Sequence, residues 1–316
     1  MMRLASRHLA WMLVIALALA FLFLGAGLDF DYVIPKRLAR LAAMLIGGVA
    51  IAWSSIVFQT LTGNRILTPA IMGYEAVYLL LQSLLVLGLG AQSLVLLGAH
   101  GNFFLSVAVM LGYSWLIHRG LFSQGRQNVH FLLLAGLVLT MVIGTFTQFV
   151  QLKTSPGEFS ILLGFSQASF NKTEPAQLLV SGLLVAGVCL AGLKTLPTLD
   201  VMSLGRDQAM SLGVDYPRQV RRHLALIATL VAVSTSLLGP TAFMGIFVAN
   251  MAYALTRTRR HRVTLSAGCA IAVGLFLLAQ LAVEHLFNYR TTVGILVNLT
   301  CGAWFLALMA RARGTA

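Results

Sequence analysis

Long apolar runs, separated by short polar segments, follow one another along almost the whole chain. An α-helix needs about 20 residues to cross the hydrocarbon core of a bilayer, and most of these runs are close to that length. The apolar windows lie at residues 8–28, 36–61, 73–89, 93–117, 129–151, 176–193, 223–239, 242–255, 263–287 and 293–310. The pattern predicts an all-α polytopic membrane protein with about ten transmembrane helices, built as a single domain over residues 1–316.

One apolar stretch is too long to be a single span. Residues 223–255 would make a straight helix of roughly 50 Å, whereas the hydrocarbon core is about 30 Å thick. Gly239 and Pro240 divide this stretch, since proline has no amide hydrogen to donate and its ring clashes with the preceding turn. We therefore expect a full span followed by a shorter, partly buried helix.

Composition and charge agree with a membrane protein. Hydrophobic residues make up 59% of the chain and charged residues only 10%, whereas soluble domains carry about 25% charged residues. The net charge is +13, but the basic residues sit between the apolar runs and not on one polar face. We interpret them as orientation signals and expect no nucleic-acid partner.

The basic residues divide unevenly between the two predicted sides of the membrane. With the N-terminus inside, the inner loops hold Arg3, Arg7, Arg65, Arg119, Arg126, Lys194, Arg206, Arg218, Arg221, Arg222, Arg257, Arg259, Arg260, Arg262, Arg311 and Arg313. The outer loops hold Lys36, Arg37, Arg40, Lys153, Lys172 and Arg290. Because basic residues favour the cytoplasmic side, the excess predicts both termini inside and a cytoplasmic loop at about residues 200–220.

The sequence carries no pattern typical of an enzyme. It has no G-x-x-x-x-G-K-[ST], no H-E-x-x-H and no G-x-S-x-G elbow on a strand-to-helix turn. Cys189, Cys269 and Cys301 are isolated within apolar runs, without a C-x-x-C pair or a nearby histidine cluster. We expect no catalytic residue, no cofactor, no metal site and no disulfide.

Carboxylates within the apolar runs are rare. Glu75 and Glu284 are the only acidic candidates, and both lie close to predicted span ends. Since an ion-coupled carrier usually needs a carboxylate deep in the bundle, we expect the energy for transport to come from outside this chain. Two alternatives stay open: an ion-coupled secondary transporter that works without an ATPase, and a membrane scaffold that transports nothing.

A polar stripe runs along the predicted helix at residues 129–151. Thr140, Gly144 and Gln148 recur every four residues, and Thr147 lies beside them. One interpretation is close helix packing with interhelical hydrogen bonds, which small and polar residues favour in membranes. The other is the wall of a wetted translocation path, and both interpretations can hold together.

A short charged segment, "LGRDQAMSLGVDYPRQVRR" at residues 204–222, interrupts the apolar pattern. Asp207 and Gln208 suit a first helical turn, and Gly213 suits a left-handed cap at the end of the helix. The segment predicts a helix of about two turns that presents Ala209, Met210 and Leu212 to a partner. Such a short helix is marginal in water, so it needs a surface on which to dock.

At this segment the sequence resembles a known family. The spacing L-G-x-x-x-A-x-x-L-G-V is similar to the coupling-helix motif of FecCD-type permeases, the membrane subunits of ABC importers for ferric siderophores, haem and cobalamin. The matching positions are Leu204, Gly205, Ala209, Leu212, Gly213 and Val214. Residues 37–69, 239–250 and 293–308 resemble three further segments of the family in the same order, so the resemblance covers nearly the whole chain.

The sequence also departs from the family pattern. Arg65 and Ala249 stand where prolines are usual, and Gln280 stands where an aspartate is common. The stretches "NRILTPAIMG", "FVANMAY" and "QLAVEHLF" are similar to the branch that serves iron chelates such as catecholate or anguibactin-type siderophores. Members of that branch tend to work as two different permeases side by side.

The resemblance implies a fold, a set of partners and several site residues. It implies a bundle like the type II ABC importer permeases, in the inner membrane of a bacterium, with ferric siderophore as the ligand. The implied partners are an ABC ATPase present in two copies, a second permease that is a paralogue, and a periplasmic or lipid-anchored siderophore-binding protein. The ATPase would contact the coupling motif at residues 204–214.

The resemblance also implies where the binding protein docks. Arg37 and Arg40 match two arginines that pair with its glutamates in the family, and the alternative is that they are simple interfacial anchors. Glu284 stands where another docking arginine is common, and Arg290 lies nearby in the sequence. Part of that contact must therefore differ from the family pattern.

Overall fold

A computed structural model describes residues 2–25, 29–90, 93–122, 129–171, 173–241 and 243–313. Two basic residues counted above, Arg126 and Lys172, lie outside these ranges. The described parts of the chain are helical and contain no strand. The helices are α1 Met2–Phe23, α2 Val33–Thr62, α3 Tyr74–Leu89, α4 Ser93–Phe122, α5 Val129–Gln151, α6 Pro156–Ser166, α7 Pro175–Leu193, α8 Leu196–Met202, α9 Arg206–Ser211, α10 Tyr216–Leu238, α11 Met244–Thr256, α12 His261–His285 and α13 Val293–Arg313.

The helices confirm the predicted class of fold. Within the described residues, six helices are long and apolar enough to cross a membrane, and four shorter ones are apolar along their length. Together they make the ten predicted segments. The pattern missed α6 and α8, because helices of 11 and 7 residues are too short to form an apolar window of spanning length. α6 is instead marked by a capping box, in which Ser155 and Glu158 bond each other's backbone amides.

Three helices, α2, α10 and α12, form the centre of the bundle. Gly47 and Gly48 of α2 face Leu238 of α10 and Val273 of α12, at distances that leave no room for a Cβ atom. Small residues at such positions let backbones approach, which is how membrane helices gain packing energy without a hydrophobic driving force. In contrast, α5 lies at the periphery, with large apolar side chains such as Met141 exposed.

Two helices begin inside the bundle, each after a break in the chain. The break predicted at Gly239 is confirmed: α10 ends at Leu238, Gly239 has φ of 96°, and α11 starts at Met244. A second break separates α2 from α3 by a loop and a 3₁₀ turn at Pro69–Met72. At 1.5 Å per residue, the 16 residues of α3 and the 13 of α11 span only about 24 and 20 Å.

Candidate functional site

The charged segment at residues 204–214, which we call the coupling segment, folds as its sequence predicts. α9 is a helix of six residues, between Gly205 with φ of 110° and Gly213 with φ of 83°. Both values lie in a region that favours glycine. A Cβ at Gly213 would have no atom within 4 Å, so the position is sterically open as well as left-handed.

The coupling segment presents a different face from the one that the sequence predicted. Ala209 is fully buried and not presented, because it lies on the side of α9 that packs against α8 and α10. Val214 donates its amide hydrogen to the carbonyl of Ala209 at 3.0 Å, which fixes the end of the helix. The exposed apolar side chains are Leu204, Met210 and Leu212, with 46%, 47% and 64% of their surface accessible.

A polar network that sequence reasoning missed connects α8, which packs against α9 of the coupling segment, to the central helices. Asp200 of α8 accepts a hydrogen bond from the backbone amide of His261 at 2.7 Å and contacts its Nδ1 at 2.6 Å. The other ring nitrogen of His261 lies 2.8 Å from the hydroxyl of Thr60 in α2. These residues are far apart in the sequence and form no local motif, so only the fold brings them together.

The polar stripe of α5 lines a groove of about 730 Å³. All four predicted path residues, Thr140, Gly144, Thr147 and Gln148, lie on its wall. The rest of the lining is mostly apolar and comes chiefly from α3, from α11 with the residue before it, and from α13, through residues that include Ala76, Leu79, Phe243, Ile246 and Phe305.

Both interpretations of the stripe find support in its contacts. The hydroxyl of Thr140 lies 2.7 Å from the carbonyl oxygen of Gly136 and 3.1 Å from that of Ile71, and it can donate to either. The contact with Ile71 connects α5 to the 3₁₀ turn. A Cβ at Gly144 would meet no atom within 4 Å. Thr140 therefore packs helices, while Gly144 leaves open space in the groove.

One carboxylate shares the wall of this groove. Glu75 lies in the first turn of α3, and its Oε1 accepts a hydrogen bond from the backbone amide of Thr241 at 3.0 Å. Behind it is a small cavity of about 30 Å³, lined by hydroxyls that include those of Ser54, Ser55 and Thr235. The sequence correctly places Glu75 near a helix end, but this end lies within the bundle because α3 is short.

At the opposite end of α2, the two arginines matched to a docking role contact a carboxylate of the same chain. A guanidinium nitrogen of Arg37 lies 3.5 Å from Oε2 of Glu284, and one of Arg40 lies 3.3 Å from its Oε1. Arg37 also donates to the carbonyls of Phe21 at 2.6 Å and Leu24 at 2.8 Å, at the end of α1. We call Arg37, Arg40 and Glu284 the outer ion-pair cluster.

The cluster is mostly turned inward. The side chains of Arg37 and Arg40 keep 11% and 25% of their surface accessible, against 4% for Glu284. Gln280 donates to Oε1 of Glu284 at 2.7 Å from one turn earlier in α12. Partial burial, together with the Glu284 carboxylate, raises the pKa of the Tyr289 phenol. Arg290, which the sequence placed nearby, is exposed.

No metal-binding constellation appears in the part of the chain that the structure describes. No group of three His, Cys, Asp or Glu side chains there lies close enough together to hold a metal ion. Cys189, Cys269 and Cys301 have free thiols. The chemical features of the described residues are thus the short helix of the coupling segment, a partly polar groove and an ion-pair cluster.

A bundle of about ten apolar helices is the architecture of a polytopic membrane protein, and comparison with known proteins identifies its family. The model of the FecCD transport family matches residues 5–311, so the chain belongs to that family. It is 33% identical to the petrobactin import system permease protein YclO of Bacillus subtilis, over 92% of this chain and 91% of YclO. It is 30% identical to the petrobactin permease FatC of Bacillus anthracis, over 90% of this chain and 80% of FatC.

The fold also matches a solved structure. An inward-facing conformation of a metal-chelate type ABC transporter superposes with a TM-score of 0.84 and covers 98% of this chain and 99% of the other. Their sequences are only 19% identical, so this match concerns the fold. It confirms the bundle of type II ABC importer permeases that the resemblance implied.

Proposed function

We propose that this chain is the permease subunit of an ATP-driven importer that moves a ferric siderophore into the bacterial cytoplasm. The observation that carries the proposal is the relationship to YclO and FatC, which spans about nine tenths of this chain and is named in both cases for petrobactin import. The groove beside α5 supplies a route of suitable size for a small ligand.

The coupling segment is the proposed contact for a separate ABC ATPase. Three exposed apolar side chains on the coupling segment favour a protein partner, since a helix as short as α9 is marginal by itself in water. The contacts among Asp200, His261 and Thr60 offer a path by which a push on this segment would reach α2 and α12. ATP hydrolysis would then move the helices that surround the groove.

A second permease, a paralogue, is the proposed partner for the exposed side of α5. Much of that helix is apolar and uncovered in the single chain, and the groove beside it is open on one side. Two such permeases facing each other would close a path between them, with Thr140, Gly144, Thr147 and Gln148 on its wall.

A siderophore-binding protein is the proposed partner at the outer ion-pair cluster. Of the two matched arginines, Arg40 is the more accessible, while Arg37 orients the cluster through its bonds to the end of α1. Two arginines and one glutamate leave a net positive charge, and exposed Arg290 adds to it. Such a surface would attract the acidic side chains of a docking protein.

The test compares Gly213→Asp with Gly213→Asn in the whole importer. Both side chains tolerate the left-handed backbone better than other residues do, and neither has an intramolecular clash, so the pair differs mainly in charge at the proposed ATPase contact. We expect the aspartate variant to insert normally, lose the copurifying ATPase and fall to background uptake of iron-55 ferric petrobactin. The asparagine variant should keep much of both.

Two outcomes would contradict the proposal. Uptake and ATPase recovery in Gly213→Asp equal to those of the unmodified importer would remove the coupling role of this segment. Failure of the unmodified importer to recover an ATPase in several mild detergents, with uptake that follows the proton or sodium gradient, would favour an ion-coupled transporter instead.

A further inference from the structure

Among the described residues, the groove beside α5 is lined by a single ionisable side chain, which is acidic. Glu75 is the only acidic side chain on its described wall, and no lysine, arginine or histidine lies there. Within the described residues, Glu75 also takes part in no ion pair. No basic side chain of the described residues therefore pairs with its carboxylate.

The position of Glu75 in the bundle favours a functional role for its carboxylate. It lies where two short helices begin, α3 at Tyr74 and α11 at Met244, and both helices are too short to span the whole hydrocarbon core. A carboxylate at such depth is costly, and those that occur in membrane proteins face cavities and act on ions or substrates. In carriers, binding groups commonly lie where discontinuous helices meet near the middle of the membrane.

Two features of the surroundings of Glu75 offset part of the cost of burying its negative charge, and neither is a counter-ion. The amide of Thr241 donates to Oε1, and the N-terminal end of α3 carries the positive end of the helix dipole. The hydroxyl-lined cavity behind it has room for about one water molecule. The second carboxylate oxygen accepts no hydrogen bond from any described residue, which leaves it available to a ligand in the groove.

We infer that Glu75 is a specificity-determining residue, whose carboxylate contacts a cationic group of the iron chelate as the chelate passes along the groove. The groove would then favour chelates that carry an ammonium over neutral ones and would disfavour polyanionic ones. This inference rests on the proposed function, because it takes the groove as the route of the chelate. A unit charge within about 5 Å, partly screened by water, corresponds to a preference of about tenfold.

The first experiment measures the charge of the groove without any transport. Leu79 also lines the groove and follows Glu75 by four residues on α3, so a cysteine there lies about 6 Å away. In the assembled importer, with the three native cysteines replaced by alanine, the Leu79→Cys thiol is modified by a cationic or an anionic methanethiosulfonate. The ratio of the two rates reports the local potential.

We expect Glu75→Gln to lower the cationic-to-anionic rate ratio at Leu79→Cys about tenfold. The glutamine keeps an oxygen to accept the Thr241 amide, so the hydrogen bond at the helix break is retained while the charge is lost. The matched control is Leu87→Cys, which lies on the same helix about 18 Å from residue 75, outside the groove, and should keep its ratio. An unchanged ratio at Leu79→Cys would overturn the inference.

The second experiment tests contact with a chelate. A linear trihydroxamate iron(III) chelate with one free ammonium is compared with its N-acetylated, neutral form, for protection of Leu79→Cys against an uncharged iodoacetamide reagent. With Glu75 present, the ammonium form should protect at about tenfold lower concentration, and Glu75→Gln should make the two forms equal. Equal protection in both proteins, or none by either chelate, would overturn the recognition role.

These results separate the inference from the proposed function. If the unmodified importer takes up ferric petrobactin but neither the labelling ratio nor the protection depends on Glu75, the inference alone fails. If the unmodified importer takes up no iron chelate, the proposed function fails, whatever the labelling ratio shows about the charge of the groove.

Discussion

At the scale of single residues, one glycine sets how closely α13 approaches the chain after α6. Gly294 donates its amide to the carbonyl of Ala168 at 3.3 Å, and a Cβ at Gly294 would lie 2.7 Å from the backbone nitrogen of Ala168. Backbone atoms cannot rotate away as a flexible side chain can. The contact therefore tolerates no larger residue without movement of a whole element.

We predict that Gly294→Ala destabilises the protein by about 1–3 kcal/mol, the range typical of overpacking. The measurement is thermal unfolding of the purified protein in mild detergent. Gly302→Ala is the matched control, since Gly302 lies on the same helix and a methyl group added there would have no atom within 4 Å. A loss of stability in Gly302→Ala as large as in Gly294→Ala would refute the role of the Ala168 contact.

The sequence indicates some of these close-packing glycines but not the polar contacts. Gly47, Gly48 and Gly192 suit helix packing by their pattern, and each leaves no room for a Cβ atom. Gly187 looks alike in the sequence, yet a Cβ there would meet nothing within 4 Å. Composition marks a helix as suited to close packing, whereas only the fold determines which of its faces meets a neighbour.

At the scale of elements, the outer ion-pair cluster joins three helices that are distant in sequence. Glu284 near the end of α12 faces both arginines of α2, and Arg37 in turn holds the last carbonyls of α1. The cluster supplies hydrogen bonds to the unsatisfied end of α1. The ends of α1, α2 and α12 are thus fixed relative to each other.

We predict that Glu284→Gln destabilises the protein by about 1.5–3 kcal/mol, because two poorly hydrated guanidinium groups lose their counter-charge. Glu174→Gln serves as the control: its pair with His100 is highly exposed and should contribute little. The measurement is the melting temperature of each variant in mild detergent, compared with that of the unmodified protein. Equal melting temperatures for Glu284→Gln and the unmodified protein would show that the cluster does not stabilise the fold, and docking would be its only remaining proposed role.

The elements themselves are largely predictable, because apolar length is a direct requirement of the bilayer. The break at Gly239 is also predictable, since glycine and proline leave a clear mark. The depth at which α3 begins is not, because no residue in the loop after Thr62 signals that the chain turns back inside the bundle. For that reason Glu75 looks peripheral in the sequence, although it lies on the groove wall.

At the scale of the whole molecule, the groove beside α5 is open on one side of the single chain. Its groove is bounded by α3, α5, α11 and α13, but the outer side of α5 remains uncovered and apolar. An incomplete path of this kind is expected for a permease that works in a pair. The sequence shows the polar stripe on α5, but the opposing wall comes from helices whose order along the chain gives no sign that they face it.

The last prediction fills the groove without disturbing the fold. Gly144→Trp places a large ring in the open space of the groove, whereas Thr145→Trp places the same ring on the adjacent, exposed face of α5, away from the groove lining. If the groove is the path, Gly144→Trp should reduce iron-55 ferric petrobactin uptake at least about tenfold while the ATPase still copurifies. If lipid covers that face of α5, Thr145→Trp should leave uptake unchanged. If the second permease covers it, Thr145→Trp should reduce uptake, and the second permease should no longer copurify. Full uptake in Gly144→Trp would place the path elsewhere.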